Sequence, residues 1–277
     1  MKQKNKKIIP GFGLTFGITV TMLSLLILLP LASILIYSLN LTFAEFIALI
    51  TRANVRKAFA TSILCALIAA IVNSVFGLIL AWILVRYDFP GKRIIDGMIE
   101  LPFTMPTAVA GITLAKMYSN QGVPGKILNF FGLQGSYTRI GLTIALVFIG
   151  IPFVVRAVQP VLAKLPVDCE EASLMLGAGN AYTFRRVILP ELMPALITGF
   201  GLALARGIGE YGSVIYISGN SAKNGTQVVS YVIMQKLNAG SADYDSAAAI
   251  ALVLLIISFA MLLALNIFQT VTAKRTQ

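Results

Sequence analysis

Six long runs of apolar residues divide this chain, separated by short segments where charged and turn-forming residues collect. They cover approximately 12–39, 58–85, 98–118, 139–162, 192–218 and 247–271. Each holds about 20 residues or more, enough at 1.5 Å per residue to cross a hydrocarbon core of about 30 Å. Over such lengths in lipid only a helix bonds its own backbone completely. The pattern therefore predicts an all-α polytopic membrane protein with about six transmembrane helices. The first run follows Lys2, Lys4, Lys6 and Lys7, is too long for a signal-peptide core and lacks a small-residue cleavage site. It reads as a retained signal anchor.

Two stretches break the pattern. In the third run, Pro102 and Pro106 stand four residues apart within Leu101-Pro102-Phe103-Thr104-Met105-Pro106. They remove two amide donors and predict a kinked helix. At this point the kink either shapes a pathway or merely lets helices cross. The second stretch, 165–190, joins the fourth and fifth runs and is amphipathic rather than membrane-spanning. Asp168, with Glu171 three residues on, is expected to cap a first short helix. Gly177 and Gly179 suit its C-terminus and a sharp turn. Asn180 is expected to cap a second helix that ends near Pro190. Leu174, Met175, Tyr182 and Phe184 are more apolar than a solvent-facing loop requires. Two short helices of this kind either project to dock in a partner's groove or lie on the bilayer surface.

Composition narrows the class. Hydrophobic residues make up 57% of the 277 and charged residues 12%, against about 25% charged in a soluble domain. The net charge of +11 would suggest nucleic acid in a soluble protein. Here the basic residues lie between apolar runs, as topological anchors beside anionic headgroups. Arg86, Lys92, Arg93, Lys164, Arg185, Arg186, Lys274 and Arg275 fall on the side of the basic N-terminus, which predicts both termini in the cytoplasm. Arg52, Arg56 and Lys57 run against that bias. With no histidine and only Cys65 and Cys169, neither a metal site, a disulfide nor a His-based catalytic group is expected. The nearest fragment of a phosphate loop is Gly125-Lys126, with Asn120 and Ile127 where Gly and Ser or Thr belong. The chain is not expected to hydrolyse ATP itself or to be an enzyme.

The second stretch also carries a resemblance. Glu171-Ala172-Ser173, three residues, Gly177, nine residues, then Val187-Ile188-Leu189-Pro190 resembles the EAA loop of ABC importer permeases, departing at Ser173 and Val187. Pro10-Gly11-Phe12, 81–87, Phe89-Pro90-Gly91, 101–111, 151–156 and 206–220 are similar, in order and spacing, to the sulfate/thiosulfate importer permeases, T-type above all. The resemblance implies the type I (MetI-like) importer permease fold over a single domain, 1–277, with 165–190 as its coupling loop. It implies ATPase coupling through Glu171, Ala172, Ser173, Gly177, Leu189 and Pro190. It implies two partner ATPase subunits that bind ATP and Mg, with no cofactor in this chain. A second permease is implied, either a W-type homologue or a second copy, together with an extracytoplasmic sulfate/thiosulfate-binding protein. The expected location is a bacterial plasma membrane, or else a plastid envelope. Molybdate is the alternative substrate. A self-sufficient secondary transporter is the alternative class; such proteins often pair two broken helices, and only one broken run is legible.

Arg206 and Glu210, four apart, are placed by the pattern near the middle of the fifth run, beside Gly207, Gly209 and Gly212. They are expected to pair on one helical face. With Pro102 and Pro106 they are the candidate translocation path or gate, Arg206 offering charge to a divalent oxyanion; the other reading is a lock on the bundle. Arg156 is expected to snorkel to the headgroups. Asp96 and Glu100 are expected at the interface or against Arg86 or Lys92.

Overall fold

The computed structural model describes residues 12–276, with side chains to 270, and every regular element among them is helical. In chain order these are α1 (Phe12–Leu39), α2 (Phe43–Thr51), α3 (Ala53–Arg86), α4 (Lys92–Ile99), α5 (Leu101–Thr104), α6 (Thr107–Met117) and α7 (Val123–Phe130). There follow α8 (Arg139–Lys164), α9 (Asp168–Met175), α10 (Asn180–Thr183), α11 (Leu189–Ile208), α12 (Val214–Ile217), α13 (Val229–Leu237) and α14 (Tyr244–Thr276). The lysines before residue 12 lie outside the described residues, as do the side chains of Lys274 and Arg275.

Five helical stretches are long and apolar enough to cross a membrane: Phe12–Leu39, Ala53–Arg86, Arg139–Lys164, Asn180–Ile208 and Tyr244–Thr270. The third predicted run is not one kinked helix. Pro106 disfavours helical backbone at the residue before it. Met105 is accordingly extended, with ψ 137°, and α6 starts afresh at Thr107. Pro102 costs little, because it sits in the first turn of α5, where an amide has no helical partner anyway. The fifth run also differs from expectation. It does not continue to 218: α11 stops at Ile208, residues 209–213 turn, and α12 is a single turn.

The core forms where α3, α8 and α11 pack together. Val154, Val155, Val158 and Leu162 of α8 are wholly buried against Ala66, Ala69 and Ala70 of α3 and Ala203 and Leu204 of α11. Small residues set how closely these backbones approach. A Cβ on Gly77 would lie 2.8 Å from the Val154 Cβ, and one on Gly199 would lie 2.8 Å from the Val154 Cα. A second cluster ties α2 and the start of α3 to α13 and α14 through Leu49, Val55, Phe59, Val229, Val232 and Ile250.

The outer surface is suited to lipid. Ile68, Ile71, Val75, Phe76 and Ile79 of α3 and Phe259, Leu263 and Ile267 of α14 are exposed. An apolar face of this extent needs hydrocarbon as solvent. Helix α1 is apolar on every side and nearly all exposed. It rests on α14, where Tyr37 meets Tyr244 at 5.9 Å and Asn40 donates to Asp245 at 3.0 Å. The chain is a multi-pass membrane protein.

Candidate functional site

The segment between α8 and α11 is built from its ends inward. Val167 occupies the cap position of α9 without a side-chain bond, and Glu171 donates its amide to the Val167 carbonyl at 3.0 Å. The expected Asp168 cap therefore does not form. Asp168, Glu170 and Glu171 instead fill the first turn, where free amides and the helix dipole favour negative charge. The far end is as the glycines suggested. Gly177 has φ +83°, its amide bonds the Leu174 carbonyl at 2.9 Å, and the Ala178 amide bonds the Ser173 carbonyl at 3.1 Å. This is a Schellman ending, which needs a left-handed residue at that point.

The second helix departs from expectation. Gly179, not Asn180, is its extended cap residue, and it does not end at Pro190. A π-helical turn, Phe184–Ile188, carries α10 straight into α11, with the Leu189 amide bonded five residues back to Phe184. The wider turn comes just before Pro190, where an α-helical amide would be missing. The 165–190 segment is thus one free helix, α9, plus the extended start of a membrane helix.

The faces of α9 divide cleanly. Glu170 points inward, where its Oε1 accepts from Arg86 Nη2 at 2.6 Å; the same nitrogen donates to the Leu165 carbonyl at 3.2 Å. Trp82 and Phe184 meet edge-to-face at 5.6 Å beside this pair, and the Ser173 and Thr183 hydroxyls lie 2.9 Å apart. Glu171, Ala172 and Gly177 point outward and are exposed, while Ser173, Leu189 and Pro190 are half-buried. Beside them Met175 is 90% exposed, Leu176 89% and Tyr182 60%. A cavity of about 710 Å³ lies between α3, α9 and the start of α11, lined by Leu78, Trp82, Leu174, Phe184 and Ile188. Sequence reasoning missed Glu170 and its partner, which lies 84 residues away.

The second candidate group meets elsewhere. Arg206 is in the last turn of α11, not midway along a continuous span. Its Nη1 pairs with Glu210 Oε2 at 2.7 Å. Glu210 is almost wholly buried, and its other oxygen accepts from the Ser213 amide at 3.0 Å and the Ser213 hydroxyl at 3.1 Å. The Glu210 carbonyl accepts from Ser230 at 2.7 Å. Helix α6 packs on this turn so closely that a Cβ on Gly111 would strike the backbone of Ser213, and one on Gly212 the side chain of Thr107. The break at Pro106 and the break beyond Arg206 are therefore neighbours. Pro102 lies apart, in α5, where Phe103 meets Phe153 of α8 at 5.0 Å. The break beyond Arg206 is a second one, which the sequence did not show.

Arg156 does not snorkel. It bonds Asp96 at 2.8 Å, Glu100 at 2.8 Å and Gln159 at 2.6 Å. Asp96 and Glu100 thus neutralise Arg156 rather than Arg86 or Lys92, whose partners are Glu170 and Asp88. A guanidinium offers a planar fork of donors that can serve two carboxylates at once.

Comparison with known proteins agrees with this architecture. Residues 73–277 match the family described as binding-protein-dependent transport system inner membrane component. The chain is 42% identical over 271 residues to the sulfate transport system permease protein CysT of Salmonella typhimurium strain LT2, spanning 98% of this chain and 97% of that one. The Escherichia coli K12 protein of the same name is likewise 42% identical over 271 residues, with the same coverage. A bacterial ABC transporter involved in import of the acidic polysaccharide alginate has a similar chain fold, with TM-score 0.74 at 16% identity over 94% of this chain and 96% of that one. The chain belongs to the binding-protein-dependent transport system inner membrane component family and is a membrane-spanning permease subunit of an ABC importer.

Proposed function

We propose that this permease carries sulfate, and thiosulfate with it, inward across a bacterial plasma membrane, with both termini in the cytoplasm. The observation that supports the substrate is the 42% identity to sulfate permeases over 98% of the chain. The whole chain, 1–277, serves as one transmembrane domain, and 165–190 is its coupling loop. Two ATPase subunits bind ATP and Mg; this chain holds neither. A second permease, a W-type homologue or another copy, completes the pathway, and an extracytoplasmic binding protein delivers the anion.

Coupling runs through the exposed face of α9. Glu171, Ala172 and Gly177 meet the ATPase cleft directly, with Leu174, Met175 and Leu176 as apolar contact. Ser173, Leu189 and Pro190 hold that face from behind. When ATP draws the two ATPases together, α9 moves with its cleft, and Arg86 and Trp82 pass the movement to α3. The helices then exchange inward-open for outward-open access. Arg206 stands at the path with its charge held by Glu210, and the break at Pro106 beside it supplies a gate.

The test is radiolabelled sulfate uptake in cells lacking this gene, rescued by wild type or by Gly177→Asp. Aspartate is among the residues that tolerate a left-handed backbone, so the variant keeps the helix ending and adds charge to the docking face. We expect wild type to restore uptake and Gly177→Asp to restore about a tenth or less, the effect of about 1.4 kcal/mol of lost docking. Thiosulfate should compete and molybdate should not. Undiminished uptake in the deletion strain, with no other importer present, would reject sulfate.

A further inference from the structure

On the face opposite α9, a cavity of about 550 Å³ opens between the end of α6, the turn after it, the loop before α8 and Tyr216. Its lining is unusual for a surface recess. It includes Lys116, Gln121, Gln134, Ser136, Tyr137 and Tyr216, and no carboxylate. Lys116 makes no ion pair among the described residues; its ammonium group donates to Gln121 Oε1 at 2.9 Å and keeps its other protons free. Ser136 is only 3% exposed as a residue, and its hydroxyl makes no hydrogen bond among the described residues and is open to the recess. The Gln134 amide and both tyrosine hydroxyls are also unpartnered. Tyr137 has φ +61°, rare for a bulky residue. Its backbone is held there by a 2.7 Å bond from its amide to the Ile217 carbonyl. Strain of that kind is kept only where surrounding structure fixes it, and it clusters at ligand sites.

A recess with several free donors, one uncompensated cation and no acid matches one ligand class. We propose that this cavity receives a small, ionised oxyanion on the extracytoplasmic side, before it reaches the broken helices. Helix α6 links the two places: from Lys116 to Thr107 is nine residues, about 14 Å along the axis, and Thr107 abuts Gly212 beside the Arg206–Glu210 pair. The anion is handed from Lys116 to Arg206 along this helix. The ligand class rests on the functional reading above; the cavity and its donors do not.

The experiment uses the assembled complex in lipid nanodiscs, without binding protein or ATP. Equilibrium binding of radiolabelled sulfate, and of molybdate in parallel, is measured for wild type, Lys116→Met, Lys116→Arg and Ser136→Ala. We expect Lys116→Met to weaken binding about tenfold or more, as loss of a hydrogen bond from a charged donor does. Lys116→Arg should retain most of it, which separates lost charge from misfolding, and Ser136→Ala should fall between. Equal binding of either anion by wild type and Lys116→Met overturns the proposal, as does absence of binding in a wild type that transports sulfate. Capture of the extracytoplasmic binding protein by the same nanodiscs is measured separately; its loss in Lys116→Met, with anion binding intact, also overturns the proposal and makes the patch a protein-docking surface. A wild type that transports no sulfate, with binding protein and ATP present, overturns the functional reading instead; molybdate binding then decides the cavity.

Discussion

Arg206 and Glu210 are one ion pair with two different environments. Glu210 is 2% exposed, while 39% of the Arg206 side chain is accessible. Two donors from Ser213 stay on the carboxylate whatever happens to the arginine. Arg206→Ala therefore leaves a carboxylate that is still hydrogen-bonded by Ser213. Its complex should assemble at wild-type yield and lose sulfate uptake. Glu210→Ala strips Arg206 and both Ser213 donors of their acceptor at once, and should lower stability by about 1.5–3 kcal/mol. Thermal unfolding of the purified complex, beside uptake, separates the two. Equal loss of assembly in both variants would make the pair a structural lock. The pairing itself was legible from spacing. The division of roles was not, because it depends on the helix ending at Ile208 and folding Glu210 back under Ser213.

At the scale of elements, α9 is held by the inward Glu170 carboxylate and by the Ser173–Thr183 hydroxyl contact. Sequence reasoning placed this helix and its glycine ending correctly, since both follow from local patterns. It assigned the wrong N-terminal cap, and it missed that Glu170 turns inward to an arginine from another helix. No local signal carries a contact across 84 residues. The Arg86–Glu170 pair is 14% and 18% exposed, so solvent screens it little. Arg86→Glu should put two carboxylates together, release α9 from α3 and cost about 1.5–3 kcal/mol, the range for hydrogen bonds to charged groups. ATP hydrolysis by the complex should persist while sulfate uptake falls. The double exchange, Arg86→Glu with Glu170→Arg, should restore a measurable part of uptake. If the exchange restores nothing, with the complex assembled, α9 does not drive α3 through this pair. The same missing long-range information explains Arg156: Asp96 and Glu100 were visible as charges, but not as its partners.

For the whole molecule, apolar periodicity revealed the all-α class and five long crossings, because lipid demands them of sequence directly. The prolines announced the interruption of the third run, but the break in the fifth was missed, because an apolar residue serves equally in a spanning helix and in a broken one packed against protein. The structure places α6, which starts after the first break, against the turn that makes the second. Gly111 is where they cross. A methyl group there would meet the backbone of Ser213, which cannot rotate away as a side chain can. Gly97 in α4 offers the contrast, since a Cβ there meets nothing within 4 Å. Gly97→Ala should be neutral or stabilising by about 0.5–1 kcal/mol, the helix preference for alanine. Gly111→Ala has the same local preference in α6, yet overpacking of this kind costs about 1–3 kcal/mol, so the contact outweighs the preference. Thermal unfolding of the purified protein in one detergent should place Gly111→Ala below wild type and Gly97→Ala at or above it. If the two variants unfold alike, α6 is not clamped on the 209–213 turn. The proposed gate would then have to open through another seam, because only a tight crossing can transmit movement of α6 to Arg206.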